Sequence, residues 1–203
     1  MKNLFITFLA ASLFTACSKD NTPPPEPDKL PEATTVGANT AGCYINGRLI
    51  IPKNGINGIS GSTSYGLEYT VGPNFGPPIF NEYFALDMAN LKNQGLGYTI
   101  YIQLNNLLNA NGIYTVGQSN GLYFSDGPDN PQIIVTEVQG TISTGKRFLS
   151  SSNSGIIKIT RFDYTNKIIS GTFSCNLYSN QSPNESIQVT EGRFDINLVT
   201  LNN

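Results

Sequence analysis

The chain has 203 residues, of which 13% are charged, and its formal net charge is −2. This balance argues against nucleic-acid binding, which needs a cationic surface to neutralise phosphates. The sequence contains no His and no Trp. The first absence removes the commonest general base and metal ligand, and the second removes a large ring for stacking on sugars. We therefore expect a non-catalytic protein with no cofactor and no metal site.

The first residues have the pattern of a secretory signal. Lys2 supplies a positive start, an apolar run extends from Leu4 to Phe14, and small residues precede Cys17. An apolar run of about 11 residues is short for a permanent membrane span and is typical of a cleaved signal. The Cys resembles the lipobox residue of bacterial lipoproteins, which implies a diacylglycerol on Cys17 and cleavage before it. We therefore predict a signal peptide over residues 1–16 and a lipid anchor at Cys17.

A proline-rich stretch follows the predicted anchor. Residues 21–31 contain five prolines, which favour extended polyproline II and a semi-rigid spacer of roughly 30 Å. We assign residues 17–36 to the lipidated Cys and this stalk, and residues 37–203 to one β domain large enough to bury a core. The lipid on Cys17 would place the domain at the outer membrane, on the periplasmic face or the cell surface.

The chain after Gly37 alternates apolar and polar residues with the period of two that is typical of β-strands. Asn46-Gly47 separates two apolar runs, which predicts a hairpin with a type I′ turn. Further strands are predicted over 65–71 and 83–89. The clearest alternation, over 98–104, places Tyr98, Ile100, Ile102 and Leu104 on one face and Thr99, Tyr101 and Gln103 on the other.

The second half continues this pattern. Short strands are predicted over 112–116 and 121–124, and a longer one over 132–143. The C-terminal third predicts a meander in which 156–162 pairs with 168–178 across the turn 163–167. In the last strand the apolar parity changes near Glu191-Gly192, which predicts a β-bulge with Gly at the strained position. The fold class predicted is all-β: a single antiparallel β-sandwich or flattened β-barrel with little or no helix.

Two cysteines remain beyond the predicted anchor. Cys43 and Cys175 both lie at apolar positions of predicted strands. An oxidising compartment would permit a disulfide between them, closing a loop of over 100 residues. The alternative is two separate buried thiols that act as small hydrophobic side chains. The sequence leaves both open.

Three stretches together resemble a known family. They are residues 30–47 (LPEATTVGANTAGCYING), 166–174 (NKIISGTFS) and 189–196 (VTEGRFDI). In that order behind a lipobox, they are similar to uncharacterised Bacteroidota lipoproteins built on a domain of unknown function. The resemblance implies an envelope location and no assigned activity, so it transfers no functional residue except the lipidated Cys17.

Two loops have the residue types of ion or phosphate sites. Residues 140–146 match the spacing of a phosphate loop, but Arg147 follows where Ser or Thr is needed, so a hairpin turn is the preferred interpretation. Residues 126–130 (DGPDN) carry oxygen ligands that suit Ca²⁺, although the same residues are also ordinary turn chemistry.

Carboxylates and tyrosines are the remaining candidates. A glycosidase needs two facing carboxylates, and an exposed Tyr row could bind sugars or protein. The candidate carboxylates are Asp87, Glu137, Asp163, Glu191 and Asp195. The candidate tyrosines are Tyr65, Tyr69, Tyr83, Tyr98, Tyr101, Tyr114 and Tyr123.

The sequence therefore predicts a lipid-anchored envelope protein that binds or assembles rather than catalyses. The partners expected are the membrane, through the lipid on Cys17, and an envelope glycan or protein. Two alternatives stay open: a carboxylate-based glycan hydrolase, and a lipocalin-like carrier with an internal apolar pocket.

Overall fold

The computed structural model describes residues 27–56, 61–71, 83–92, 94–105, 107, 112–123, 126–182 and 184–203. The predicted signal peptide, Cys17 and most of the prolines of the predicted stalk lie outside the described residues. In the described ranges, no helix has the length and apolar character needed to span a membrane.

The described residues form twelve strands and no helix, which confirms the predicted all-β class. In chain order they are β1 (Thr40–Ile45), β2 (Arg48–Ile50), β3 (Gly55–Ile56), β4 (Thr63–Ser64), β5 (Leu67–Val71), β6 (Tyr83–Ala89), β7 (Leu96–Asn105), β8 (Ile113–Thr115), β9 (Gln132–Gln139), β10 (Ile142–Asp163), β11 (Ile168–Ser179) and β12 (Ser186–Asn197).

Ten of these strands form one antiparallel sheet, as predicted. The order across it is β2-β1-β12-β11-β10-β9-β7-β6-β5, and β8 pairs with the second half of β10. Strands β3 and β4 form a separate two-stranded hairpin. Since most neighbours in the sheet are also neighbours in the chain, the topology is close to the predicted meander.

The sheet curls so that strands far apart in its order come together. The rings of Phe84 on β6 and Phe194 on β12 lie 6.2 Å apart, although four strands lie between them in the sheet. The Tyr69 hydroxyl donates to the Leu198 carbonyl, and the Asn202 side chain donates to the Leu67 carbonyl at 2.8 Å. The fold is therefore a half-barrel whose concave face encloses the core. This architecture agrees with the predicted β-sandwich or flattened β-barrel.

The concave face is filled with apolar side chains. Fully buried members come from β1, β6, β7, β9, β10, β11 and β12, and each contributes about 1.5–3 kcal/mol through burial. They include Ile45, Phe84, Leu86, Met88, Ile100, Ile102, Leu104, Ile133, Phe148, Ile157 and Ile169. The period-two pattern predicted this face correctly on β7.

The first hairpin has the predicted turn. Asn46 and Gly47 have φ values of 48° and 78°, and Tyr44 pairs with Leu49 across the turn. Both central residues therefore adopt the left-handed conformation that a type I′ turn requires.

Two strand predictions are wrong. A turn at residues 140–141 divides the predicted strand 132–143, because Gly140 takes a φ of 63° and the chain folds back. Residues 121–123 form no strand and instead lie over the convex face of the sheet, where the Leu122 carbonyl accepts from Gln132. Phe124 lies outside the described residues.

The β-bulge in β12 is present, but Gly192 is not its left-handed residue. Glu191 takes the positive φ of 51°, and the register of β11 against β12 shifts between Phe173 and Cys175. Gly192 has a different role, because a Cβ there would lie 2.5 Å from the ring of Phe173. The small residue is thus needed for ring packing and not for turn geometry.

Candidate functional site

The segment before β1 packs on the convex face of the sheet. Asp28 forms an ion pair with Lys53, and a Cβ at Gly42 would lie 2.9 Å from Leu30 Cδ1. The Pro31 carbonyl accepts from Arg193 at 3.4 Å. Residues 28–36, which the sequence assigned to the stalk, are therefore integrated into the folded domain.

The carboxylate of Asp195 holds this segment to the sheet. It accepts hydrogen bonds from the Thr34 hydroxyl at 2.6 Å and from the backbone N–H groups of Val36, Gly37 and Ala38 at 2.8–3.1 Å. On the sheet side, the Ser170 hydroxyl donates at 2.6 Å. The three stretches that carry the family resemblance thus meet at one buried carboxylate, which gives them a structural explanation.

Asp195 remains ionised despite its burial. Its side chain is 1% exposed, and burial alone would raise its pKa. The hydrogen bonds from Ser170, Thr34 and the backbone outweigh that effect and lower the pKa of Asp195 to about 2. We call residues 34–38 with Asp195 and Ser170 the Asp195 clasp.

Beside the clasp, the convex face of β10, β11 and β12 is uncovered and forms an open groove. Its upper half is a depression of about 520 Å³, its lower half is a depression of about 440 Å³, and both include Ile156 and Ser174. We call the two together the outer groove. Its upper half is lined by Thr115, Asn153, Ser154, Gly155, Ile156, Ser174, Cys175, Asn176, Gln188, Val189 and Thr190.

The upper half of the outer groove has a neutral hydrogen-bonding surface. None of the described residues that line this half is charged, and Ser174, Asn176 and Gln188 are exposed hydroxyl or amide side chains. Ile156 is 52% exposed and supplies an apolar contact in the middle. The lower half is charged, because Glu191 and Arg193 form an ion pair at 3.3 Å and the exposed Lys158 adds a further positive charge. The upper half therefore suits an uncharged ligand rich in hydroxyl and amide groups.

The other half of the convex face is covered. Residues 117–123 and 126–131 lie over β7, β9 and β10, where the Tyr101 and Tyr123 rings meet edge to face at 4.7 Å. Beneath them Gln103 accepts from the Tyr101 hydroxyl at 2.7 Å and from Gln132 at 3.1 Å. This buried polar network satisfies its own groups and holds the covering segment in place.

Next to this covered region lies a pair of carboxylates. Glu68 and Asp87 are directly opposite each other on β5 and β6, a position in which Cβ atoms are typically about 5 Å apart. Burial raises the pKa of Asp87 to about 6, and the negative charge of Glu68 acts in the same direction. Glu68 was not a sequence candidate, because its proximity to Asp87 depends on strand register.

The candidate tyrosines whose side chains the structure describes do not form one exposed row. Tyr69, Tyr98 and Tyr114 pack against the concave core, whereas Tyr101 is 3% exposed on the convex face beneath Tyr123. Tyr65 is 37% exposed, and the side chain of Tyr83 lies outside the described residues. The tyrosines thus divide between the two faces because their strand positions have opposite parity.

The other candidate carboxylates have local partners. Asp163 accepts from the side chain and the N–H of Asn166 and from Arg161, and these bonds hold its pKa well below the usual range. Glu137 accepts from the Thr144 hydroxyl at 3.2 Å, and Glu191 pairs with Arg193. These three side chains therefore make turn and surface contacts.

The two loops with ion-site residue types form turns. Asp129 accepts from Asn105 at 2.7 Å, and the described ranges of the chain contain no cluster of three His, Cys, Asp or Glu residues that could hold a metal ion. Residues 140–146 connect and begin paired strands, and the Lys146 amine pairs with Glu185. The preferred hairpin interpretation of 140–146 is thus confirmed.

Cys43 and Cys175 are free, buried thiols in the structure. β12 lies between β1 and β11, so two interstrand spacings, about 9.6 Å, separate their strands. A disulfide needs Cα atoms within about 7 Å. Burial raises the pKa of Cys43 to about 12 and that of Cys175 to about 11.

Comparisons of the chain with protein-family models, with curated proteins and with solved structures each gave no match. The candidate sites therefore depend on the geometry of this chain alone. Of these, the outer groove is a depression that opens to solvent, and the Glu68–Asp87 pair contains a carboxyl group with a raised pKa.

Proposed function

We propose that this protein is a lipid-anchored, non-catalytic binding module of the cell envelope and that its outer groove takes a neutral, N-acetylated glycan. The observation that carries the proposal is the neutral lining of the upper half of the groove, in which exposed hydroxyl and amide groups surround Ile156. Sugar hydroxyls and amides can pair with these groups, and the methyl of an N-acetyl group can contact the exposed Ile.

The location of the groove supports glycan binding over the alternative of a lipocalin-like carrier with an internal apolar pocket. Phe84, Ile102 and Ile157 are 0% exposed on the concave face, so apolar side chains already occupy the interior of the half-barrel. The groove, in contrast, opens to solvent between two covering segments, where an extended polymer can enter and leave without unfolding the sheet.

Calorimetry with chitotetraose, a neutral tetramer of N-acetylglucosamine, tests the proposal. We expect the double substitution Asn176→Ala and Gln188→Ala to weaken binding about fivefold or more, since each hydrogen bond contributes about 0.5–1.5 kcal/mol. Tyr178→Ala is a matched control on the same strand, because Tyr178 is exposed but is not a lining residue of the groove. Absence of binding by the unmodified protein would contradict the proposal.

A glycan hydrolase is the second candidate, and the Glu68–Asp87 pair favours it. A raised pKa suits a general acid, and glycosidases use a pair of neighbouring carboxylates. Reducing-sugar release from envelope polysaccharide that is abolished by Asp87→Asn and by Glu68→Gln would support this activity. Equal release by the unmodified protein and both variants would exclude the pair as its source.

A further inference from the structure

One wall of the outer groove is formed by the segment that leads towards the predicted anchor. Ala33 lines the lower half of the groove together with Arg193, whose guanidinium donates to the Pro31 carbonyl. The segment before β1 therefore contributes Ala33 to the lining of the lower half, and the rest of that lining comes from β10, β11 and β12.

The position of this wall depends on a small number of named contacts. Thr34 directly follows Ala33 and donates to Asp195 at 2.6 Å. The next residues are held by backbone donation to the same carboxylate and by Arg161, which donates to the Thr35 carbonyl at 2.5 Å. Ser170 on β11 donates to the same carboxylate at 2.6 Å.

We propose that Asp195 is a positioning residue that couples the groove to the segment before β1, residues 33–38. It seats residues 33–38 against the sheet, so the groove has its full wall only while the Asp195 clasp is closed. Because such coupling is reciprocal, a ligand in the groove stabilises the closed clasp, and opening of the clasp weakens binding of the ligand. This inference depends on the proposed function, since it takes the outer groove as the glycan site.

The structure offers a matched pair of variants that tests the coupling. Thr34→Ala and Thr144→Ala each remove one hydroxyl that donates to a carboxylate, the first to Asp195 at 2.6 Å and the second to Glu137 at 3.2 Å, outside the clasp and the lining of the groove. Asp195→Asn is the stronger change, but it places an amide donor among five donors and is expected to destabilise the protein. The matched pair therefore carries the test.

The experiment measures two quantities on the full-length protein in detergent micelles: the affinity for chitotetraose, and the hydrogen exchange of the amides of residues 36–38. In the unmodified protein, chitotetraose should slow that exchange. Thr34→Ala should speed the exchange and weaken binding about three- to tenfold, whereas Thr144→Ala should keep the affinity within about twofold.

The outcomes separate the two proposals. If the unmodified protein binds chitotetraose but Thr34→Ala speeds exchange and binds as tightly as Thr144→Ala, the coupling is wrong and the glycan site stands. If exchange of residues 36–38 is the same with and without bound chitotetraose, the coupling is also wrong. If the unmodified protein binds no chitotetraose, both proposals fail.

Discussion

At the scale of single residues, the two perturbed carboxyl groups on the convex face behave in opposite ways. Asp195 is buried among five donors, which favour its charged form. Asp87 is disfavoured in its charged form by burial and, secondarily, by the carboxylate of Glu68 on the neighbouring strand. Acidification should therefore weaken the fold through Asp195 and strengthen it through Asp87.

The pKa of Asp195 predicts a pH-dependent stability difference. In the unfolded chain an Asp has a pKa near 3.9, and in the folded protein that of Asp195 is about 2. The stabilisation is therefore complete above about pH 4 and is lost as the pH falls towards 2, with a size on the order of 2 kcal/mol. Urea unfolding of Asp195→Asn and the unmodified protein should show a difference at pH 6 that shrinks towards pH 2. A difference that is constant over this range would contradict the assignment.

Asp87→Asn should have the opposite effect. The folded pKa of about 6 lies above the unfolded value, so the folded state binds the proton more tightly and loses stability as the pH rises from 4 to 6. At pH 7 the variant should be more stable than the unmodified protein, by on the order of 2 kcal/mol, and the gain should vanish near pH 4. Glu68→Gln is the matched control and should give a smaller gain, since Glu68 is the secondary cause of the shift.

The two buried thiols should be unreactive in the native protein. Their raised pKa values keep them protonated, and their burial excludes reagents. Ellman's reagent at pH 8 should label neither Cys43 nor Cys175 before denaturation and should label both after it, without prior reduction. Labelling that requires reduction would demonstrate a disulfide.

At the scale of elements, β11 and β12 are joined by two reciprocal pairs of Gly and Phe. Gly171 is opposite Phe194, and Phe173 is opposite Gly192, so each ring lies over a residue without a side chain. The two Phe rings are 6.4 Å apart on the concave side of these pairs. This arrangement explains the Gly-x-Phe spacing shared by the two strands.

Gly192→Ala should therefore destabilise the protein. Its Cβ would lie 2.5 Å from the Phe173 ring, and overpacking of this kind costs about 1–3 kcal/mol. Gly95→Ala is a suitable control, because nothing lies within 4 Å of a Cβ at that position, and its effect should stay within about 0.5 kcal/mol. Guanidinium unfolding of both variants measures the difference. Equal effects would refute the ring-packing explanation.

The elements that the sequence predicted well are those governed by local patterns. Alternation over 98–104 and the Asn46-Gly47 turn depend on neighbouring residues alone. The prediction of a strand failed at the described residues 121–123, where Tyr123 packs on Tyr101 of the convex face, a contact that no local pattern contains. The position of the bulge was predictable from parity, but its left-handed residue was not, since Gly192 is required by the ring of Phe173 on another strand.

At the scale of the whole molecule, the candidate sites could be predicted only in part. Asp87 and Asp195 were sequence candidates, but their different roles depend on partners far away in the chain. The outer groove had no sequence signal, because exposed Ser, Thr, Asn and Gln on a strand are the ordinary residues of a solvated face. It becomes a groove only because the segment before β1 and residues 117–123 and 126–131 cover the convex face on either side.

The lipid anchor remains a prediction of the sequence. Cys17→Ala should move the protein from the membrane fraction to the soluble fraction, because the lipid is the proposed attachment. Mass spectrometry of the unmodified protein should detect a diacylglycerol adduct on Cys17, and an unmodified Cys17 on a membrane-bound protein would contradict the prediction.

The most direct test of the central claim is chemical-shift mapping of the ¹⁵N-labelled protein during titration with chitotetraose. The glycan-binding account predicts saturable shifts at the backbone and side-chain amides of Asn176 and Gln188, together with the amide of Ile156. Shifts confined to the region of Glu68 and Asp87, or no saturable shifts, would contradict a glycan site in the outer groove.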